Sequence, residues 1–130
     1  MTLRNLLVPV ALLVASSTCA AEPTVSFTRD IVPLFARECA FCHSKDAADS
    51  GLVLEGRFAY RMIVDVPSIE SPLMRVTPGK PEQSYLLLKM QNQHRTVGGT
   101  GRKMPPGWLE VVPSEVELVK AWILAGAPEN

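Results

Sequence analysis

The 130-residue chain has no excess of charge of either sign: 13 Lys and Arg stand against 13 Asp and Glu. No block of like charges occurs. Such a chain is a poor fit to nucleic acid, whose phosphates need a basic face. Cysteine is scarce, limited to Cys19, Cys39 and Cys42, too few for a disulfide-stapled miniprotein. There is no internal repeat and no low-complexity stretch. With 47% apolar residues, the composition also excludes disorder, collagen and coiled coil. A Ser-His-Asp set, a catalytic acid pair and a nucleotide fingerprint are all missing. Gly98-Gly99-Thr100-Gly101 lacks a strand before it and a helix after it, so it is a weak phosphate loop. What remains is one small globular domain.

The N-terminal stretch reads differently from the rest. Arg4 and Asn5 precede a ten-residue apolar run, Leu6 to Ala15, followed by small residues up to Ala21. Charge, apolar run and small residues in that order predict a secretory signal peptide over 1–21, cleaved after Ala20 or Ala21. The run is too short to cross a bilayer core of ~30 Å, which takes about 20 apolar residues. Cys19 raises lipidation as an alternative, the one route to membrane attachment, although Ser16-Ser17-Thr18 departs from the usual lipoprotein pattern. The remainder, 22–130, is the functional domain.

Within it the pattern predicts three or four short helices with long irregular connections, a mostly α fold. Asp30 reads as a helix N-cap with Pro33 in the first turn, leading through Leu34, Phe35 and Glu38 to Cys39. Leu52 to Leu54 is a brief extended run. Residues 57–64 suit a helix with Phe58, Met62 and Ile63 inward. Pro78-Gly79 marks a turn. Pro81 opens a helix to about Gln91, with Tyr85, Leu86, Leu88 and Met90 available to the core. Residues 94–106 form a Gly-rich loop. Ser114 and Glu117 fit a capping box, Val119, Trp122 and Ile123 share a helix face, and Gly126 and Pro128 end that helix.

The chemistry is concentrated in Cys39-Ala40-Phe41-Cys42-His43. C-x-x-C-H is the attachment motif of c-type haem. Two thiols three apart can each add to a porphyrin vinyl group, and the next residue then presents its imidazole to the iron. A disulfide, or a zinc site with His94, are the competing readings; no second Cys pair is present for zinc. An electron carrier of this type takes Met as its other axial ligand. Met62 and Met90 suit helix faces, and Met74 lies in a loop. Met104 stands before Pro105-Pro106, which stiffen the backbone beside it, and is the expected ligand. His94 is the rival, read as a solvated loop residue.

The stretches 27–35 and Cys39 to His43, with Pro78 to Ser84, Met104-Pro105-Pro106 and Trp122 to Pro128, resemble a class I cytochrome c domain of the short planctomycete type. The resemblance covers nearly all of 27–128. It implies thioethers at Cys39 and Cys42, iron held by His43 and Met104, a small domain wrapped around one covalent haem c, and crossing first and last helices with Leu34 or Phe35 near Trp122. The Gly98 to Lys103 spacing departs from the pattern and reads as a flexible prelude to Met104.

The expectation is a periplasmic monohaem electron-transfer protein, not an enzyme, that docks transiently on redox partner proteins. The alternatives are a haem subunit of a larger oxidoreductase, or a small haem enzyme or ligand sensor with displaceable Met. Lys89, Arg95, Arg102 and Lys103 give 89–104 four positive charges and no acid, a surface that could steer an acidic partner or a merely solvated loop.

Overall fold

The computed structural model describes residues 25–107 and 111–130. The leader predicted over 1–21, Cys19 included, lies outside the described residues. Four α-helices joined by long irregular connections make the fold, with no β-strand among the described residues. The mostly helical class expected from the sequence is therefore observed. Isolated bridges, such as Val64 with Val76 and Met74 with Ser84, tie the connections together.

The first helix begins earlier than its sequence signal. A π-helical turn, Phe27–Ile31, runs directly into α1, Val32–Glu38. Ser26, not Asp30, is the N-cap. Its Oγ accepts from the Arg29 N–H at 3.2 Å, while Asp30 reaches back to accept from the Ser26 N–H at 2.7 Å. Each side chain satisfies an N–H that the helix leaves open. The Arg29 guanidinium and then the Ser26 N–H hold the Asp30 carboxyl below the usual range.

α2 is Phe58–Ile63. Ile63 is buried as expected, but Phe58 is 49% exposed, Ala59 takes an inward place, and Met62 is only partly buried. Six residues make fewer than two turns, too few for periodicity to set the phase.

The Pro78-Gly79 turn forms, with the Lys80 N–H on Thr77 O at 3.0 Å and Gly79 at φ +74°. The helix predicted from Pro81 is split into a 3-10 turn, Pro81–Gln83, and α3, Tyr85–Met90. Ser84 between them is extended and fully buried. Its hydroxyl accepts from the Thr77 N–H at 2.9 Å and donates to Lys80 O at 2.9 Å, so local side-chain bonding competes with the helix. Tyr85 and Leu88 are buried as expected, and so are Leu87 and Lys89. Leu86 and Met90 are partly buried.

α4, Pro113–Leu124, starts just before its expected cap. Val112 is the N-cap and has no side-chain oxygen, so only half a capping box forms: Glu115 accepts from the Val112 N–H at 3.3 Å. Ser114 lies inside the helix. At the far end Gly126 adopts φ +92°. Ala127 N–H bonds to Trp122 O and Gly126 N–H to Ile123 O, both at 2.9 Å, the bond pair of a Schellman stop.

Val119, Trp122 and Ile123 are fully buried. The first and last elements meet through Phe27, whose ring lies 5.3 Å from that of Trp122. Phe35 packs edge-on against Phe27 at 6.4 Å, and Leu34, Phe35 and Trp122 belong to the same core cluster. Tyr60 closes the cluster 5.2 Å from Phe27 and donates its hydroxyl to Ala127 O. Phe27 N–H bonds to Asn130 Oδ1 and Thr28 N–H to Asn130 O, each at 2.8 Å. Among the described residues no helix is long and apolar enough to cross a membrane.

Candidate functional site

The Cys-x-x-Cys-His segment continues α1 by one turn. Cys39 N–H bonds to Phe35 O at 2.9 Å, and the Cys42 and His43 N–H groups both bond to Cys39 O, at 3.2 and 3.0 Å. Residues three and four apart on such a turn share a face. Cys39, Cys42 and His43 accordingly line one cavity of about 430 Å³, within the usual range of small-molecule pockets. The chain then folds back, returning the Leu54 N–H to His43 O at 2.6 Å. The same fold-back places Leu52 O at 3.2 Å from His43 Nδ1. With the proton on Nδ1 donated to that carbonyl, the lone pair of Nε2 is left for a ligand role.

Cys39 and Cys42 are free thiols, each half-buried. Burial, and then the carboxylates of Glu38 and Glu115, push the Cys39 thiol up from 9.0 to about 12. A group raised this way favours folding fully below its ordinary value, and that contribution is lost as pH climbs through about 12. The thiol therefore stays protonated at neutral pH, which slows its attack as a nucleophile. In the reduced protein, alkylation of Cys39 is expected to be slow at neutral pH and to accelerate only in strong alkali. Mass spectrometry of timed quenches checks this, and a neutral-pH rate equal to that of an unfolded cysteine peptide would contradict it.

Met104, with the buried Pro105 and Pro106, reaches the same cavity from a segment distant in sequence. Leu34, Leu54, Ile63 and Leu86 supply apolar lining. Met90 also lines the cavity, but it packs against the main core cluster, which Met104 does not join. Met74 is 39% exposed. Arg75, Tyr85 and Lys89 give part of the lining a polar character.

The Gly-rich segment before Met104 is held at successive residues, contrary to its expected flexibility. Gly99 N–H bonds to His94 O at 2.9 Å, and Thr100 N–H to Glu70 O at 3.1 Å. Thr100 O accepts from Lys89 Nζ at 2.9 Å and from the Tyr85 hydroxyl at 3.1 Å. Gly101 O accepts from Arg95 at 3.0 Å and Arg102 O from Lys89 Nζ at 3.0 Å. Met104 N–H bonds to Lys89 O at 3.1 Å. Gly99 is required by close approach, since a Cβ there would fall 2.5 Å from both His94 O and the Tyr85 ring. Burial, and then Glu70, raise the Tyr85 hydroxyl above its ordinary value.

His94, read from the sequence as solvated, is 1% exposed. Its ring stands edge-on to Tyr85 at 6.4 Å, and its Nε2 lies 3.3 Å from Gly101 O. It is not among the residues that line the cavity; it supports the loop rather than competing with Met104. Lys89, counted with the basic segment, is 6% exposed and ion-paired with Glu70. Arg95 and Arg102 remain on the surface. Among the described residues no three His, Cys, Asp or Glu side chains converge.

No family model, curated protein or solved structure matches the chain.

Proposed function

We propose that the protein is an exported monohaem c-type cytochrome that carries single electrons between redox partners. The observation that supports this most is the donor set of one cavity: two thiols, an imidazole and a thioether, from Cys39, Cys42, His43 and Met104. The residues fit haem c, whereas a disulfide or a zinc site has no use for Met104 or for a largely apolar chamber.

Bound there, haem would supply an iron that alternates between ferrous and ferric. Cys39 and Cys42 would hold it covalently through their sulfurs. His43, oriented through Nδ1 by Leu52 O, would hold the iron through Nε2. Met104 would hold the iron through its thioether. Leu34, Leu54 and Ile63 exclude water and lower the local dielectric, which tunes the potential. Arg75 and Arg102, on the same lining, would supply positive charge to the carboxylates of the cofactor. Phe41 and Ile69, on the cavity lining yet 83% and 72% exposed, form an apolar contact for a small, transient docking surface. The leader over 1–21 directs the domain to the periplasm. A ligand sensor or haem enzyme needs a displaceable Met104, and the hydrogen bonds along 99–104 speak against one.

The test is the mass and visible spectrum of protein exported from a host with haem-ligation machinery. Covalent haem mass and the weak red band of a Met–iron bond are expected; a colourless product at polypeptide mass overturns the reading. Met104→Ala is expected to keep covalent haem, lose the red band, lower the potential and bind added imidazole. A band that persists would transfer the ligand role to Met90.

A further inference from the structure

Lys89 is an unusual residue to find buried on a six-residue helix whose neighbours are Leu87 and Leu88. Its ammonium has three donors, and all three are used: on the Glu70 carboxylate, on Thr100 O and on Arg102 O. The Tyr85 ring lies 5.4 Å beneath the same ammonium. The Lys89 backbone carbonyl takes the Met104 N–H. One residue therefore holds the approach to Met104 from its side chain and Met104 itself from its main chain. Gly101 lies between the two captured carbonyls at φ +75°; a Cβ there would fall 2.7 Å from Glu70 Oε1 and 2.9 Å from Lys89 Nζ. The loop is shaped to close over the ion pair.

Stability alone does not account for this arrangement. An ammonium loses hydration on burial, and an apolar residue of similar volume often serves a core as well or better. The extra cost is matched by a positional result: the carbonyls of 100 and 102 are fixed to α3, which also lines the cavity.

We propose that Lys89, oriented by Glu70, is a positioning residue that sets the reach of Met104 and so governs how firmly the distal iron position is closed. This rests on the haem reading above for its consequence, but the clamp itself does not need haem. Its removal leaves the attachment residues untouched and frees the loop, so added imidazole gains access to the distal position.

The experiment compares wild type, Lys89→Met and Gly101→Ala, each exported from a host with haem-ligation machinery. Lys89→Met is expected to retain covalent haem by mass while its red Met–iron band weakens. Imidazole affinity should rise by roughly tenfold to a hundredfold, the scale of losing a buried charge-assisted bond. Gly101→Ala should shift both readouts in the same direction with Lys89 intact, which covers the case in which Lys89→Met does not fold. Glu70→Gln, which keeps an acceptor, should fall between wild type and Lys89→Met. In the same exported proteins, amide exchange at Met104 should accelerate in Lys89→Met. Unchanged band and imidazole affinity in the folded variants, or unchanged exchange at Met104, overturns the clamp. Absence of haem from wild type refutes the cofactor reading instead and leaves the exchange result to decide the clamp.

Discussion

Cys39→Ala combined with Cys42→Ala will yield a protein with no covalent haem and a lowered unfolding midpoint. Both thiols stand on one turn facing the cavity, so no other cysteine of the described domain can replace them. The loss reaches further than the cofactor. A domain this small buries only about two-thirds of its unfolded surface. Leaving a chamber of about 430 Å³ unfilled removes packing partners from Leu34, Leu54 and Ile63 together. Cys42→Ala alone is expected to keep one thioether, and hence covalent haem at reduced yield. Haem staining after denaturation, beside intact mass, separates these outcomes. Stain retained by the double variant would mean that attachment does not run through this motif.

Trp122→Ala will cost roughly 3–5 kcal/mol, the scale for removing a fully buried large aromatic. The ring is 0% exposed, stacks obliquely on Phe27 and approaches Tyr60 at 6.5 Å. Its Nε1–H also donates to Pro128 O at 3.0 Å, which a truncated side chain leaves without that partner. Against a total stability of about 5–15 kcal/mol, such a loss threatens the folded state itself. Urea unfolding should show a lower midpoint at an unchanged slope, and Trp122→Phe should recover part of the difference. A loss below about 1 kcal/mol, the range of a tolerated surface change, would show that the aromatic cluster is not the joint between the two ends of the fold.

The legible parts of this protein are the ones written locally. Val119, Trp122 and Ile123 repeat at helical spacing over a twelve-residue helix, long enough for the period to speak. Cys39, Cys42 and His43 are adjacent in sequence, and one helical turn suffices to gather them. Met104 could be picked out by its prolines. The caps are less legible. Ser26 rather than Asp30 starts the first helix because a π-turn adds residues before the regular part, and Val112 displaces Ser114 because Pro113 already fits the first helical position. The polar lock of Glu70, Tyr85, Lys89 and His94 was not legible. Its bonds join residues that no period relates, and a lysine between leucines reads as surface until the carbonyls that receive it are known.

The hydrogen bonds that the Ser26 hydroxyl and the Phe27 N–H donate to Asn130 span up to 104 residues, and this has a bearing on the order of assembly. A polypeptide delivered N-terminus first presents its thiol pair well before Trp122 and Asn130 emerge. Closing so long a loop is entropically slow. The wall bearing Cys39 and His43 must therefore wait, without its backing helix, until the tail arrives. On the proposed haem reading, the thiols would be open to attachment during that interval in a way that the finished fold, with Cys39 half-buried, does not permit.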